Sequence, residues 1–131
     1  MGMSFPKPDE AGLAYFESLV PDEPDVQSRP MFGNRAAFVN GNLFLPLFGS
    51  QMAVRLSEQD RAELLREKGA SVFEPMPGRA MKEYVVLPDS WRTQRAKAKR
   101  WADRSFEWAR GLPSKKKSAP VSWVVRMDQE A

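Results

Sequence analysis

The dipeptide Asn40-Gly41 lies between two apolar runs, 35–39 and 42–48, and constrains the fold more than any other feature of the chain. A two-residue type I′ turn needs positive φ at both central positions, which Asn and Gly tolerate better than other residues. The two runs must therefore pair antiparallel. Gly49-Ser50 supplies a second tight turn into Met52-Ala53-Val54-Arg55-Leu56, completing a three-strand meander.

The elements around this meander follow from caps and breakers. The first helix is expected from about Pro8 to Val20. Pro8 suits its first turn, Asp9 and Glu10 suit the positive end of the dipole, and Pro21 stops it. Leu13, Phe16 and Val20 line one face. Pro21 to Pro30 is expected as an acidic, proline-broken connector, and Gly33 as a bend or bulge before the first strand. Ser57, with Asp60 three residues on, predicts a capped second helix that buries Leu64 and Leu65 and ends near Lys68, at Gly69. Residues 72–76 and 80–87 predict a strand pair around Pro77-Gly78. Asp89 is expected to cap a long third helix ending near Gly111, with Trp91, Ala98, Trp101, Ala102, Ser105, Phe106, Trp108 and Ala109 on its buried arc. Trp101 and Trp108 would then anchor the core. The whole predicts a single α+β domain in the order α-β-β-β-α-β-β-α, with an antiparallel sheet packed by helices.

Cys and His are both absent, which removes disulfides, zinc sites built on thiolate or imidazole, and the usual general base. No catalytic residue, metal or cofactor is expected, and the chain is not expected to be an enzyme. The carboxylate pairs Asp22/Asp25 and Glu63/Glu67 lie on a loop and on an ordinary helix surface. The net charge of +3 is polarised: residues 1–30 carry −4 and residues 91–131 carry +7. Such a chain favours an anionic partner or a second copy of itself. It lacks the run of about 18 apolar residues that a membrane span needs. Its start lacks the basic region and apolar core of a secretion signal, so the expected location is the cytoplasm.

Met31-Phe32-Gly33, the Phe-Val-Asn-Gly turn ending at Gly41, Phe73 with Pro75, Gly78-Arg79, Tyr84 with Pro88, and Trp101 before Leu112-Pro113 together resemble the TfoX N-terminal domain of the TfoX/Sxy family. The resemblance covers residues 1–113. It implies an α+β domain related to the secretion-chaperone-like folds, here as a stand-alone single-domain member. It also implies a regulatory module more than a catalyst. The two-domain members support competence gene expression beside a cyclic-AMP-responsive activator. The expected partner is a protein, with a homodimer as one form, docked through an exposed sheet edge or the apolar surface near Met31-Phe32. Residues 114–131 are expected to form a flexible basic tail, within which Val121, Trp123, Val125 and Met127 alternate as in an edge strand.

Other motifs carry two readings each. Met31-Phe32-Gly33 serves either as an adaptable contact or, more simply, as core under the first helix. Pro77-Gly78-Arg79 with Lys82 forms either a phosphate cradle or a plain hairpin turn. The alternative to a protein partner is non-specific nucleic-acid binding through Arg92, Lys99, Arg100, Arg104, Lys115, Lys116 and Lys117. No helix-turn-helix spacing, zinc finger or RNA-recognition motif accompanies these cations, so base readout has no instrument.

Overall fold

A computed structural model describes residues 7–31 and 33–113. Helix α1 (Glu10–Leu19) begins where the Asp9 carboxylate accepts the Gly12 N–H at 2.8 Å, so Pro8 stands outside the helix and not in its first turn. Four of its residues, Gly12, Tyr15, Phe16 and Leu19, are buried.

The segment expected as a connector holds an additional strand, β1 (Val26–Met31), which pairs antiparallel with β2 (Asn34–Val39). Met31 faces Asn34 across the turn, and Gly33, at φ +78°, belongs to that turn and not to a bend in a strand. The strand was hidden because Gln27, Ser28 and Arg29 at its middle are polar, it contains Pro30, and four of its six residues are exposed, so it has no apolar alternation. Half-buried Met31 lies on this edge strand and not under α1; Phe32 lies outside the described residues.

Next, β3 (Asn42–Phe48) pairs with β2 around Asn40 (φ +53°) and Gly41 (φ +79°), the two positive φ values that a type I′ turn requires. Strand β4 (Gln51–Arg55) returns antiparallel through Gly49-Ser50, and α2 (Glu58–Leu65) opens where Ser57 Oγ accepts the Asp60 N–H at 3.2 Å. Of the two leucines expected inside, Leu64 is buried but Leu65 is 39% exposed. The helix stops at Leu65, and Gly69 (φ +94°) sits in the following turn, against Pro88.

Strands β5 (Ser71–Met76) and β6 (Arg79–Val86) pair around Pro77-Gly78 and complete a six-stranded antiparallel sheet ordered β1-β2-β3-β4-β6-β5. Asp89 caps no long helix: residues Asp89–Thr93 form a 3-10 turn, Gln94 breaks the path at φ −129° and ψ 62°, and α3 (Arg95–Arg110) starts after it. That break lets Trp91 enter the core on its own turn, still in line with Ala98 and Trp101.

Helices α1 and α3 pack on one face of the sheet. Between them lies the main core, which includes Phe16, Leu19, Phe44, Leu47, Val54, Leu64, Val85, Trp91, Trp101 and Phe106. The opposite face carries Phe48, Ala53, Phe73, Tyr84 and Val86. Phe48 and Phe73 ring centroids are 5.9 Å apart although their strands stand three places apart in the sheet. In a flat sheet that separation is about 14 Å. The sheet therefore curls until this second face closes on itself.

Curling parts the middle of the sheet. Strands β3 and β4 share only the pairs Leu47–Met52 and Phe48–Gln51, after which β4 runs with β6. The β3 carbonyls left behind are taken by side chains: Ser105 Oγ donates to Phe44 O at 2.9 Å, and Tyr84 Oη donates to Leu43 O at 2.9 Å. Ser105 Oγ also accepts the Arg55 N–H at 3.1 Å, so one hydroxyl from α3 stitches both parted strands. None of the described helices is long and apolar enough to cross a membrane.

Candidate interaction surface

The exposed side of α3 gathers the chain's most functional-looking groups, and the packing of the helix decides which of them are available. Ala98, Trp101, Ala102, Ser105, Phe106 and Ala109 face inward as the periodicity predicts. Trp108 does not: it is 39% exposed, so it is no core anchor. At 100° per residue it falls at the border of the buried arc, where spacing alone does not decide its side. The cations of α3 that lie beside it on that flank, Lys97, Arg100 and Arg104, precede it by eleven, eight and four residues.

Trp108 lines a shallow groove of about 520 Å³ with Asp60, Arg100, Asp103, Arg104 and Glu107. One wall is α2, held in place by Arg104, whose guanidinium reaches Glu63 at 3.3 Å and Asp60 at 3.7 Å while lying over the Trp101 ring at 4.4 Å. Lys99 pairs with Asp103 at 2.7 Å, and Arg110 with Glu107 at 3.5 Å. These links neutralise much of the field that the sequence suggests.

The candidate nucleic-acid residues accordingly divide. Arg92 donates to Ser50 O at 3.1 Å and lies over the Tyr15 ring at 5.6 Å, so it serves the turn after β3. Lys99 and Arg104 are engaged as described. Arg100 is exposed, and no carboxylate pairs with it among the described residues. Lys115, Lys116 and Lys117 lie outside the described residues. Two cations that sequence reasoning passed over, Arg95 and Lys97, are exposed at the start of α3, with Lys97 Nζ 5.7 Å from the Trp91 ring centroid. The signal that would have found them is the absence of any carboxylate from residue 90 to residue 102.

The other candidate surfaces are weaker. Because Met31 and Asn34 close a two-residue turn, Val26, Ser28 and Pro30 turn their backbone groups to the outer edge of β1. Pro30 has no N–H, and the Val26 N–H is given to Glu23 O at 3.1 Å, so Ser28 alone offers a donor there. The opposite edge strand, β5, carries Pro75. Prolines on both edges are a common guard against strand addition. At Gly78 the amide that a phosphate would need is occupied by its own strand, since Glu74 Oε2 accepts it at 2.7 Å. That turn is therefore a hairpin turn, in which Arg79 pairs with Met76.

The remaining motif positions serve the fold. Phe73 and Tyr84 fill the closed second face, Pro88 packs against Gly69, and Trp101 is core. Burial raises both tyrosines, Tyr15 and Tyr84, to about 12, with Arg92 and Arg55 respectively pulling in the other direction. Among the described residues no group of His, Cys, Asp and Glu is placed to hold a metal ion.

Fold and surface together define a small α+β domain with one long, half-buried helix packed on a curled antiparallel sheet. The model of the TfoX N-terminal domain matches residues 16–109, and the chain belongs to that family. No curated protein and no solved structure matches it.

Proposed function

We propose that this chain is a non-catalytic, cytoplasmic regulatory module of the TfoX type that works by docking a protein partner in the groove between α2 and α3. The observation that carries the reading is Trp108, an indole left 39% exposed on a helix whose neighbouring Trp101 is buried. Trp and Arg side chains in a partly desolvated groove are the residues that most often dominate protein recognition. Arg100 and Arg104 stand beside it, and the carboxylates Asp60, Asp103 and Glu107 complete a mixed-charge rim. Such a rim suits a protein surface carrying both signs.

A photocrosslinking residue placed at position 108, with exposed Ala14 on α1 as the control position, tests this. The partner should crosslink from position 108 and not from position 14. In reconstitution with that purified partner, Trp108→Ala should weaken binding by about 30-fold, the size of a typical hot spot. Equal crosslinking from both positions, or unchanged affinity, rejects the reading.

A further inference from the structure

The ion pairs around Trp108 leave one cation over. Of the carboxylates that line its groove, Asp60 stands 3.7 Å from Arg104, Asp103 2.7 Å from Lys99 and Glu107 3.5 Å from Arg110. Arg104 also reaches Glu63, at 3.3 Å. Arg100 lines the same groove, is exposed, and pairs with no carboxylate among the described residues. It shares a row of α3 with Arg104 and Trp108, each four residues from the next. At 3.6 residues per turn the three lie within about 80° of one another, and Trp108 falls about 12 Å further along the axis than Arg100. The stripe therefore presents a guanidinium that suits an anion at one end and a half-open indole that suits apolar surface at the other.

From this we infer that the protein segment docked in the groove is acidic and amphipathic, with a carboxylate on Arg100 and, about 12 Å away, an apolar side chain on Trp108. The inference rests on the reading of the groove as a protein site and narrows it to one partner chemistry. A basic segment would have to displace Lys99 or Arg110 from its own carboxylate before it gained a pair. An acidic segment pairs with Arg100 and breaks nothing, and the guanidinium fork matches a carboxylate bidentately. A nucleic-acid backbone fits worse. Its phosphates follow one another without interruption, and Asp60, Asp103 and Glu107 would repel those on either side of Arg100. Lys97, exposed three residues before Arg100 and likewise without a carboxylate among the described residues, extends the preference for an anionic partner.

The experiment is a selection against the full chain from displayed random peptides about 16 residues long, which span the distance whether helical or extended. Peptides that bind the chain and not its Trp108→Ala variant should carry Asp or Glu beside an aromatic or aliphatic residue. Against Arg100→Glu the same library should return Lys or Arg in that place, a change of sign that a structural role of Arg100 would not produce. With one selected acidic peptide, Arg100→Gln should weaken binding about tenfold. Changing the peptide's carboxylate to an amide should then cost the Arg100→Gln chain nothing further. Arg95→Gln removes the same charge about 140° around the helix and should change affinity less than about twofold. Selected peptides that need Trp108 but carry no acid, or that bind Arg100→Gln as well as the parent chain, overturn this inference and leave the groove reading standing. A library with no Trp108-dependent binder overturns both. A dimer of the full chain that Trp108→Ala dissolves also overturns the inference, since the occupant is then a second copy, and so does displacement of the peptide by a random-sequence DNA duplex.

Discussion

Ser105 is fully buried, and its hydroxyl donates to Phe44 O at 2.9 Å while accepting the Arg55 N–H at 3.1 Å. Both partners belong to strands that have parted, so neither recovers a ladder bond if the hydroxyl is lost. Each buried polar group left unpaired costs about 1 to 3 kcal/mol. Ser105→Ala is therefore expected to destabilise the domain by about 2 to 4 kcal/mol in urea denaturation, a large effect for the loss of one oxygen atom. Its burial was legible from the period of the helix. Its role was not, because nothing in the spacing of residues 42–56 tells where two paired strands separate. The tyrosines make a second test. The chain has only two, and burial raises both from 10 to about 12. In the unfolded chain each would ionise near 10, so their neutral forms stabilise the fold below that pH. This contribution is lost as pH rises from about 10 to about 12. Ultraviolet titration of the folded protein should show no phenolate step near 10, and stability should fall across that window, less steeply in Tyr84→Phe. A normal phenolate step in the folded state would contradict the burial of these rings.

At the scale of elements, what the sequence made legible were the turns and caps, because their chemistry is local. Asn40-Gly41 forms the predicted turn with both residues at positive φ, and Ser57 caps α2 through its hydroxyl. Glycines near element ends are not equivalent, however. Gly41 stands at φ +79°, where a β-carbon costs about 1 to 2 kcal/mol. Gly111, which marks the end of α3 as expected, stands at φ −85° in right-handed helical conformation, where a β-carbon would make ordinary van der Waals contact, 3.6 Å from Trp108 O. Gly41→Ala should thus lose about 1 to 2 kcal/mol, whereas Gly111→Ala should be neutral or gain up to about 1 kcal/mol by restricting the unfolded chain. Equal losses at both positions in equilibrium unfolding would show that the turn is not what holds β2 against β3. The elements that escaped the sequence did so for one reason: tertiary context shaped them without a local signal. Strand β1 is mostly exposed, has no apolar alternation and exists because β2 offers it an edge, and the 3-10 turn before α3 contains neither Gly nor Pro.

At the scale of the molecule, burial is uneven in a way that bears on the candidate surface. In β3, residues 44 to 48 are all buried, and both neighbouring strands pair with it. By contrast α2 buries a single side chain, Leu64, yet it forms one wall of the groove beside Trp108. The link holding that wall is Arg104, through Asp60 and Glu63. That pairing was not legible in the sequence: residues 60 and 104 are far apart in the chain, and charge counting placed Arg104 among free cations. Segments with few buried contacts open locally at a cost well below that of global unfolding. Amides of 58–65 are therefore expected to exchange with deuterium about a hundredfold or more faster than those of 44–48. Arg104→Ala should accelerate exchange in α2 further and leave β3 unchanged, since the ion pairs it removes touch nothing in the sheet. A protein partner seated in the groove should slow exchange in α2 selectively, because it would bridge the two helices that the Arg104 ion pairs now link. Uniform protection across α2 and β3 would show a domain that opens only as a whole, and the groove would then be a rigid surface.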